Sequence, residues 1–362
     1  MFNLKRIKLF DPVISHEEKE IIKVLKSHFW ASGAGTNNVL KFENQFQKYI
    51  KSTSSVAVNS GTAALHLALN LAEIKNKEVI VPSFSFVSTA HSVVYNGGKP
   101  IFVDVNPKTL CVDIESIKEK ITDKTAAILA VHFAGTACDI DEINKICNKY
   151  KIMLIEDAAH AAGATYKNKK IGSHGEMVCF SFHPVKNLAM PTGGAITLNG
   201  KKANMRKKIL NSLRWCGISN RKGTSYDVSN LGWNYYMNEF SAAIGTIQLK
   251  QLDSMNKIRR KIAKRYSEEI TISDKMQFNK DCSYHFYWIK VKKREKFMKN
   301  LKENKIETGI HYKPIHQMSY YNEKISLPNS EYAGKHIVSL PIHPNLNDSE
   351  ISKIITLVNK FS

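Results

Sequence analysis

Between about residue 55 and residue 200, compact apolar runs take turns with stretches whose apolar residues recur at helical spacing. TAALHLALNLAEI (62–74) has the helical pattern, and EVIVPS (78–83) is a short buried-strand run. PIFVDV (100–105) reads as the next strand, followed by a polar helix candidate, DIESIKEKI (113–121). AAILAVHFAG (126–135), DIDEINKICNKY (139–150) and IMLIED (152–157) give strand, helix and strand again. MVCFSF (177–182) and GAITLN (194–199) continue the series with shorter links. The strand runs do not alternate, so both of their faces are buried, as in a mostly parallel sheet covered by helices on each side. The expected fold class is therefore α/β. Ligands in such sheets bind beyond the carboxyl ends of the strands, which singles out Asp157 and the stretch from Ser181 to Lys186.

Beyond about residue 235 the pattern changes. A long charged helix is expected over 241–270, a strand over YHFYWIKVK (284–292), a helix over KFMKNLKENK (296–305) and a terminal helix from about 348 to 360. The expected organisation is a large α/β domain with the N-terminal segment (1–245) and a smaller C-terminal α+β domain (246–362). No internal repeat and no low-complexity linker interrupts the chain.

Three positions in the first domain carry candidate chemistry. Asn59-Ser60-Gly61-Thr62-Ala63-Ala64 precedes a helix, and small residues there let backbone N–H groups close on an oxyanion such as phosphate. The same residues also suit an ordinary Ser- or Thr-capped helix start. Glu156-Asp157 ends an apolar run, where a carboxylate can ion-pair with a cationic ring nitrogen or simply cap a turn. His160 follows three residues later, as a ligand contact or a satisfied core histidine. Lys186, in FSFHPVKNL, lies just past a strand; a partly desolvated lysine has a lowered pKa and becomes a nucleophile for Schiff-base chemistry. Phosphate cradle, strand-end aspartate and strand-end lysine are together the three contacts that pyridoxal phosphate needs.

Composition adds limits. Hydrophobic residues make up 43% and charged residues 23% of 362, as in ordinary globular chains. The net charge of +21, from 53 Lys+Arg against 32 Asp+Glu, suits an anionic partner, yet it is spread along the chain without a nucleic-acid module. No run reaches the length of a membrane span and no cleavable leader pattern is present. The six cysteines (111, 138, 147, 179, 216 and 282) show no metal-ligand spacing, so no metal is expected and a reducing cytoplasm is the simplest compartment.

Over nearly the whole chain, SGTAAL, EDAAHA and SFHPVKNL at these separations resemble the DegT/DnrJ/StrS-type sugar aminotransferases, which have the fold of type I pyridoxal phosphate enzymes. FWASGAGTNNVLKFENQFQKYI, VIVPSFSFVSTAHSV, AVHFAGTACDI, NEFSAAIGTIQL, GIHYKPIH and SLPIHP match in order as well. The resemblance implies that Lys186 binds the cofactor aldehyde and moves protons between substrate and cofactor carbons. It implies that Asp157 holds the pyridinium nitrogen, that His160 sits beside the ring hydroxyl and that Phe86 stacks on the ring. Gly61, Thr62, Ala63 and Ser181 are implied to hold the phosphate. Asn234 is implied to reach the cofactor of a neighbouring subunit, hence a homodimer with shared active sites. His183, His311, Tyr312 and His316 fall where the family contacts substrate.

Two departures stand out. Pro191-Thr192-Gly193-Gly194 replaces the usual Gly-Glu-Gly-Gly, and the loop Leu213–Gly217 lacks the histidine common before glycine. Relatives that dehydrate sugars at C3 carry histidine at the lysine position, so Lys186 disfavours that branch. The expected activity is transfer of an amino group from L-glutamate to a nucleotide-linked keto sugar, with a 4-keto-6-deoxyhexose first and a 3-keto sugar second. The competing readings are a transaminase for a cyclitol or other non-nucleotide ketone, and a non-catalytic binding or regulatory protein on the same fold.

Overall fold

The computed structural model describes residues 6–362. Helices α1 (Glu17–Ser27) and α2 (Asn37–Ile50) precede β1 (Ser54–Val58). Then come α3 (Gly61–Leu71), β2 (Glu78–Pro82), α4 (Ser88–Tyr95), β3 (Lys99–Val103), α5 (Ile114–Lys120) and β4 (Thr125–Val131). They lead to α6 (Ile140–Tyr150), β5 (Met153–Asp157), a two-residue ribbon β6 (Thr165–Tyr166) and β7 (Lys169–Lys170), β8 (Met177–Ser181) and β9 (Gly194–Leu198). Seven strands form one sheet in the order β1-β9-β8-β5-β4-β2-β3. The pairs β2/β3, β2/β4, β4/β5 and β5/β8 are parallel, and β9 pairs antiparallel with both β8 and β1.

The non-alternating runs are explained by burial on both faces. Val56, Val58, Val79, Val81 and Ile155 pack into one apolar cluster, while Ala57, Ile80, Ile128 and Val178 pack into the other. Each fully buried branched side chain contributes about 2 kcal/mol. The run 126–135 ends as a strand at Val131, because the chain turns through Phe133–Gly135 with Ala134 at φ 55°. Helix starts follow side-chain chemistry: Ser60, Asp113, Asp139, Asn238 and Asn347 each accept a bond from an amide in the first turn.

The free edge of β1 is closed by a buried ion pair. Glu43 accepts from the Ala57 amide (2.8 Å), Arg214 donates to the Ala57 carbonyl (2.7 Å), and the two side chains meet at 2.5 Å. After β9, α7 (Ala203–Leu213) leads into an exposed hairpin of β10 (Ile218–Lys222) and β11 (Ser225–Val228). Helix α8 (Glu239–Glu269) packs on α1 and α2 and runs unbroken through the expected 245/246 boundary into the smaller part. There β12 (Tyr287–Lys290) pairs antiparallel with β13 (Ile337–Leu340), flanked by α9 (Arg294–Glu303), α10 (Pro328–His336) and α11 (Asp348–Phe361). The N-terminal segment, grouped with the large domain in the sequence, lies against this smaller part: the Ile7 amide donates to the Lys305 carbonyl (2.8 Å). Among the described residues no helix is long and apolar enough to cross a membrane.

Candidate active site

The carboxyl ends of β1, β2, β4, β5 and β8 open onto a cavity of about 320 Å³. Gly61, Thr62, Phe86, Asp157, His160, Ser181, His183, Lys186, His311 and Tyr312 all line it, so segments more than 250 residues apart in sequence share one wall. Ala63, Asn234 and His316 do not.

Asp157 ends β5 and is buried. It accepts from the Ala159 amide (3.1 Å) and from the Thr89 hydroxyl (3.0 Å). Burial pushes its carboxyl above the ordinary range, opposed by those two bonds and by the Lys186 charge. A buried carboxylate with only neutral donors is suited to a cationic ring nitrogen. Thr89 is the second residue of α4 and meets Ser85 at 2.9 Å, so a Ser-Thr pair four residues apart orients the aspartate.

Lys186 lies on the loop between β8 and β9. The loop is pinned by the Phe182 amide to the Gly193 carbonyl (2.9 Å) and by the Met190 amide to the Phe182 carbonyl (2.8 Å). Its neighbour Asn187 donates to Asn256 on α8 (2.8 Å) and to the Ser283 carbonyl (2.7 Å), tying the loop to the smaller part. Burial lowers the Lys186 amine to about 8, against the opposing pull of Asp157. Its Nζ lies 3.4 Å from Nε2 of His285.

His160 Nδ1 accepts from the Ala134 amide (3.3 Å), which leaves the proton on Nε2, 3.2 Å from the Tyr312 oxygen. Burial drives this imidazole well below its ordinary pKa, so it is neutral at pH 7. Phe86 stands at the mouth, 53% exposed, with its ring 5.9 Å from that of Tyr312. His311 bonds Ser339 (2.8 Å) and is lowered to about 4 by burial first and Lys186 second.

The start of α3 serves as cap and cradle together. Ser60 Oγ accepts from the Ala63 amide (3.1 Å), taking up the donor that Ala63 offers. Gly61 and Thr62 face the cavity, and a Cβ on Gly61 would stand 2.7 Å from the Ser181 Cβ. Only glycine permits that approach of backbone to Ser181. In place of the usual glutamate, Thr192 lines the pocket and its hydroxyl donates to the Asn59 carbonyl, joining the lysine loop to this cradle.

Two positions lie elsewhere. His316 is buried behind the wall, with Nδ1 2.6 Å from the Ser83 hydroxyl and Nε2 3.5 Å from Glu331. Asn234 sits outside the cavity on the segment after the hairpin, its carbonyl accepting from the Asn59 side chain (3.3 Å). His285, Thr89 and Ser85 line the pocket without having been singled out in the sequence, and Thr192, noted there only as a departure, lines it too. Neither Thr89 nor His285 carried a signal in the sequence that would have placed it here.

An oxyanion cradle, a buried carboxylate and a buried amine of lowered pKa fit a pyridine cofactor that bears a phosphate and an aldehyde. Known proteins agree. The chain is 36% identical to the uncharacterized protein MJ1066 of Methanocaldococcus jannaschii, over 97% of this chain and 96% of that one. It superimposes on the PLP form of Spr1654 from Streptococcus pneumoniae with a TM-score of 0.92 at 26% identity, covering 99% and 100% of the two chains. It is likewise similar to the sugar aminotransferase CalS13 from Micromonospora echinospora, with a TM-score of 0.90, 27% identity and coverage of 98% and 99%. The sequence matches the model of the DegT/DnrJ/EryC1/StrS aminotransferase family over residues 13–359. The chain is a member of that family, a pyridoxal phosphate-dependent aminotransferase with the type I fold.

Proposed function

We propose that the protein moves an amino group from L-glutamate to a keto sugar linked to a nucleoside diphosphate, acting in the cytoplasm as a homodimer. The acceptor of first choice is a 4-keto-6-deoxyhexose and of second choice a 3-keto sugar. The observation that carries the reading is the buried Lys186 amine, lowered to about 8 and facing the buried Asp157 carboxyl across one cavity. The sugar assignment rests on similarity to relatives such as CalS13. The net charge of +21 supports an anionic, diphosphate-bearing acceptor.

Pyridoxal phosphate, when bound, supplies an electron sink and a carrier for the amino group. Lys186 is the residue that takes its aldehyde and handles protons at Nζ. Asp157, desolvated and held by Thr89 and Ala159, pairs with the ring nitrogen and keeps it protonated. His160 presents its Nε2 proton, with the Tyr312 hydroxyl, on the side assigned to the ring hydroxyl. Phe86 covers the ring, and Gly61, Thr62 and Ser181 receive the phosphate, while Ala63, whose amide Ser60 takes up, serves the cap behind them. His183, His311 and Tyr312 form the substrate side of the wall, and the burial of His316 makes it a support for that wall. Asn234, beside the exposed hairpin, is assigned to the cofactor of a second copy.

The test is the visible spectrum of the purified protein with pyridoxal phosphate, before and after L-glutamate. A yellow band that moves to the shorter-wavelength pyridoxamine band is expected. The pyridoxamine form is then offered free and nucleotide-linked ketones. Return of the yellow band with the nucleotide-linked sugar alone is expected, whereas return with a free cyclitol ketone overturns the acceptor. A protein that stays colourless overturns the reading altogether.

A further inference from the structure

His285 reaches the site from the segment before β12, ninety-nine residues from Lys186 in sequence. Its amide donates to the Ala134 carbonyl (3.0 Å), which fixes the backbone against the turn after β4. Its ring is held in a column between His160 (centroids 4.6 Å, 29° between planes) and Phe10 of the N-terminal segment (5.4 Å, 18°). Nε2 stands 3.4 Å from Lys186 Nζ, which is the one side-chain hydrogen bond of that amine among the described residues. Nδ1 is buried and has no partner.

These contacts settle the tautomer. A proton on Nδ1 leaves a buried N–H facing nothing, and an orphaned donor is costlier than an orphaned lone pair. The proton therefore belongs on Nε2, aimed at Nζ. An N–H donor needs a lone pair, and a lysine has one only as the neutral amine; an ammonium offers three donors and no acceptor. The surroundings of Nζ do not oppose this: burial lowers the amine, His160, His183, His285 and His311 are themselves lowered, by burial first, and Asp157 alone favours the ammonium.

We propose that His285 is a positioning residue for the free amine of Lys186, its Nε2–H holding the lone pair in place and favouring the neutral form against the pull of Asp157. The proposal rests on the aminotransferase reading for its purpose, since a lysine that moves protons must first be able to accept one. It does not rest on that reading for its geometry.

The experiment compares wild type, His285→Phe and His285→Gln as full chains. The Phe ring keeps the column and removes the N–H; the Gln amide restores a donor. In cofactor-free protein, acetylation of Lys186 by acetic anhydride is followed against pH by peptide mass spectrometry. The wild-type midpoint is expected near 8. The His285→Phe midpoint is expected to rise, and that of His285→Gln to fall back toward wild type. A phenyl ring is more apolar than imidazole and by itself lowers the midpoint, so a rise reports the lost N–H. In the holoenzyme, conversion by L-glutamate is expected to slow roughly tenfold in His285→Phe and to recover in part in His285→Gln. A midpoint in His285→Phe at or below the wild-type value overturns the proposal, and His285→Leu takes its place if the Phe variant does not fold. A wild type whose spectrum ignores L-glutamate sinks the donor assignment instead, and the labelling midpoints still decide the role of His285.

Discussion

Two acid–base pairs lie in the interior of this chain, and they are built in opposite ways. Arg214 and Glu43 touch at 2.5 Å, with side chains 1% and 2% exposed, and each also bonds a main-chain group of Ala57. Asp157 is buried and Lys186 partly buried, and they do not touch: the carboxylate is held by neutral donors and the amine by an imidazole. The members of the first pair bond each other and the backbone, leaving Arg214 Nε without a partner, and lock a sheet edge. The second is left short of partners, which raises one group, lowers the other and keeps both available to a ligand. Buried charge is thus structural where the backbone completes its bonding, and chemical where a cavity takes the place of the missing partner.

Removing either amine or acid tests that contrast. Lys186→Ala is expected to abolish amino transfer, by at least about a thousandfold in turnover, while the thermal midpoint of the cofactor-free protein holds or rises; retained turnover breaks the assignment. Glu43→Ala is expected to do the reverse. It strands Arg214 and orphans the Ala57 amide, at a cost of about 3–5 kcal/mol in urea unfolding, and an unchanged midpoint would show that the edge lock is idle. The pH dependence sharpens the comparison further. The folded Lys186 titrates near 8 against an ordinary 10.5, so between those values the unfolded chain binds the extra proton and stability from this group rises with pH. Cofactor-free Lys186→Met should therefore outlast wild type most clearly at pH 8 and below, with the gap closing toward pH 10.5; a constant gap denies the shift. The smallest effect belongs to Ser60→Ala, which removes the α3 cap for about 1 kcal/mol and is read by the same unfolding curves.

The pocket was legible wherever function sits at a strand end. Asp157 follows an apolar run and Lys186 follows another, and the parallel-sheet rule points at both. The strands of the parallel core were visible because burial on two faces suppresses alternation. Contacts made across the chain were not legible. His285 sits in YHFYWIKVK, which reads as strand, yet β12 begins only at Tyr287 and the residues before it pack under the active site. Thr89 is an ordinary helix residue until the fold sets it 3.0 Å from Asp157. His316 shows the converse: its motif resembles a ligand-contacting loop, but the bond to Ser83 draws it behind the wall. The boundary near 245 was drawn from a change of pattern, and a single helix spans it, with Ala242 near one end and Tyr266 near the other in the same apolar cluster.

The lone strand that runs against its neighbours has a practical consequence. Because β9 returns beside β8, with Ser181 opposite Gly194, the segment 182–193 leaves and rejoins the sheet at adjacent points. Its ends are held about 5 Å apart whatever lies between them, and closing a longer or shorter loop changes the entropy only slowly. The reactive amine therefore rides on a segment whose length the strand register does not dictate, while Phe182, Leu188 and Met190 in the core and the Asn187 bonds to Asn256 and Ser283 hold it in place.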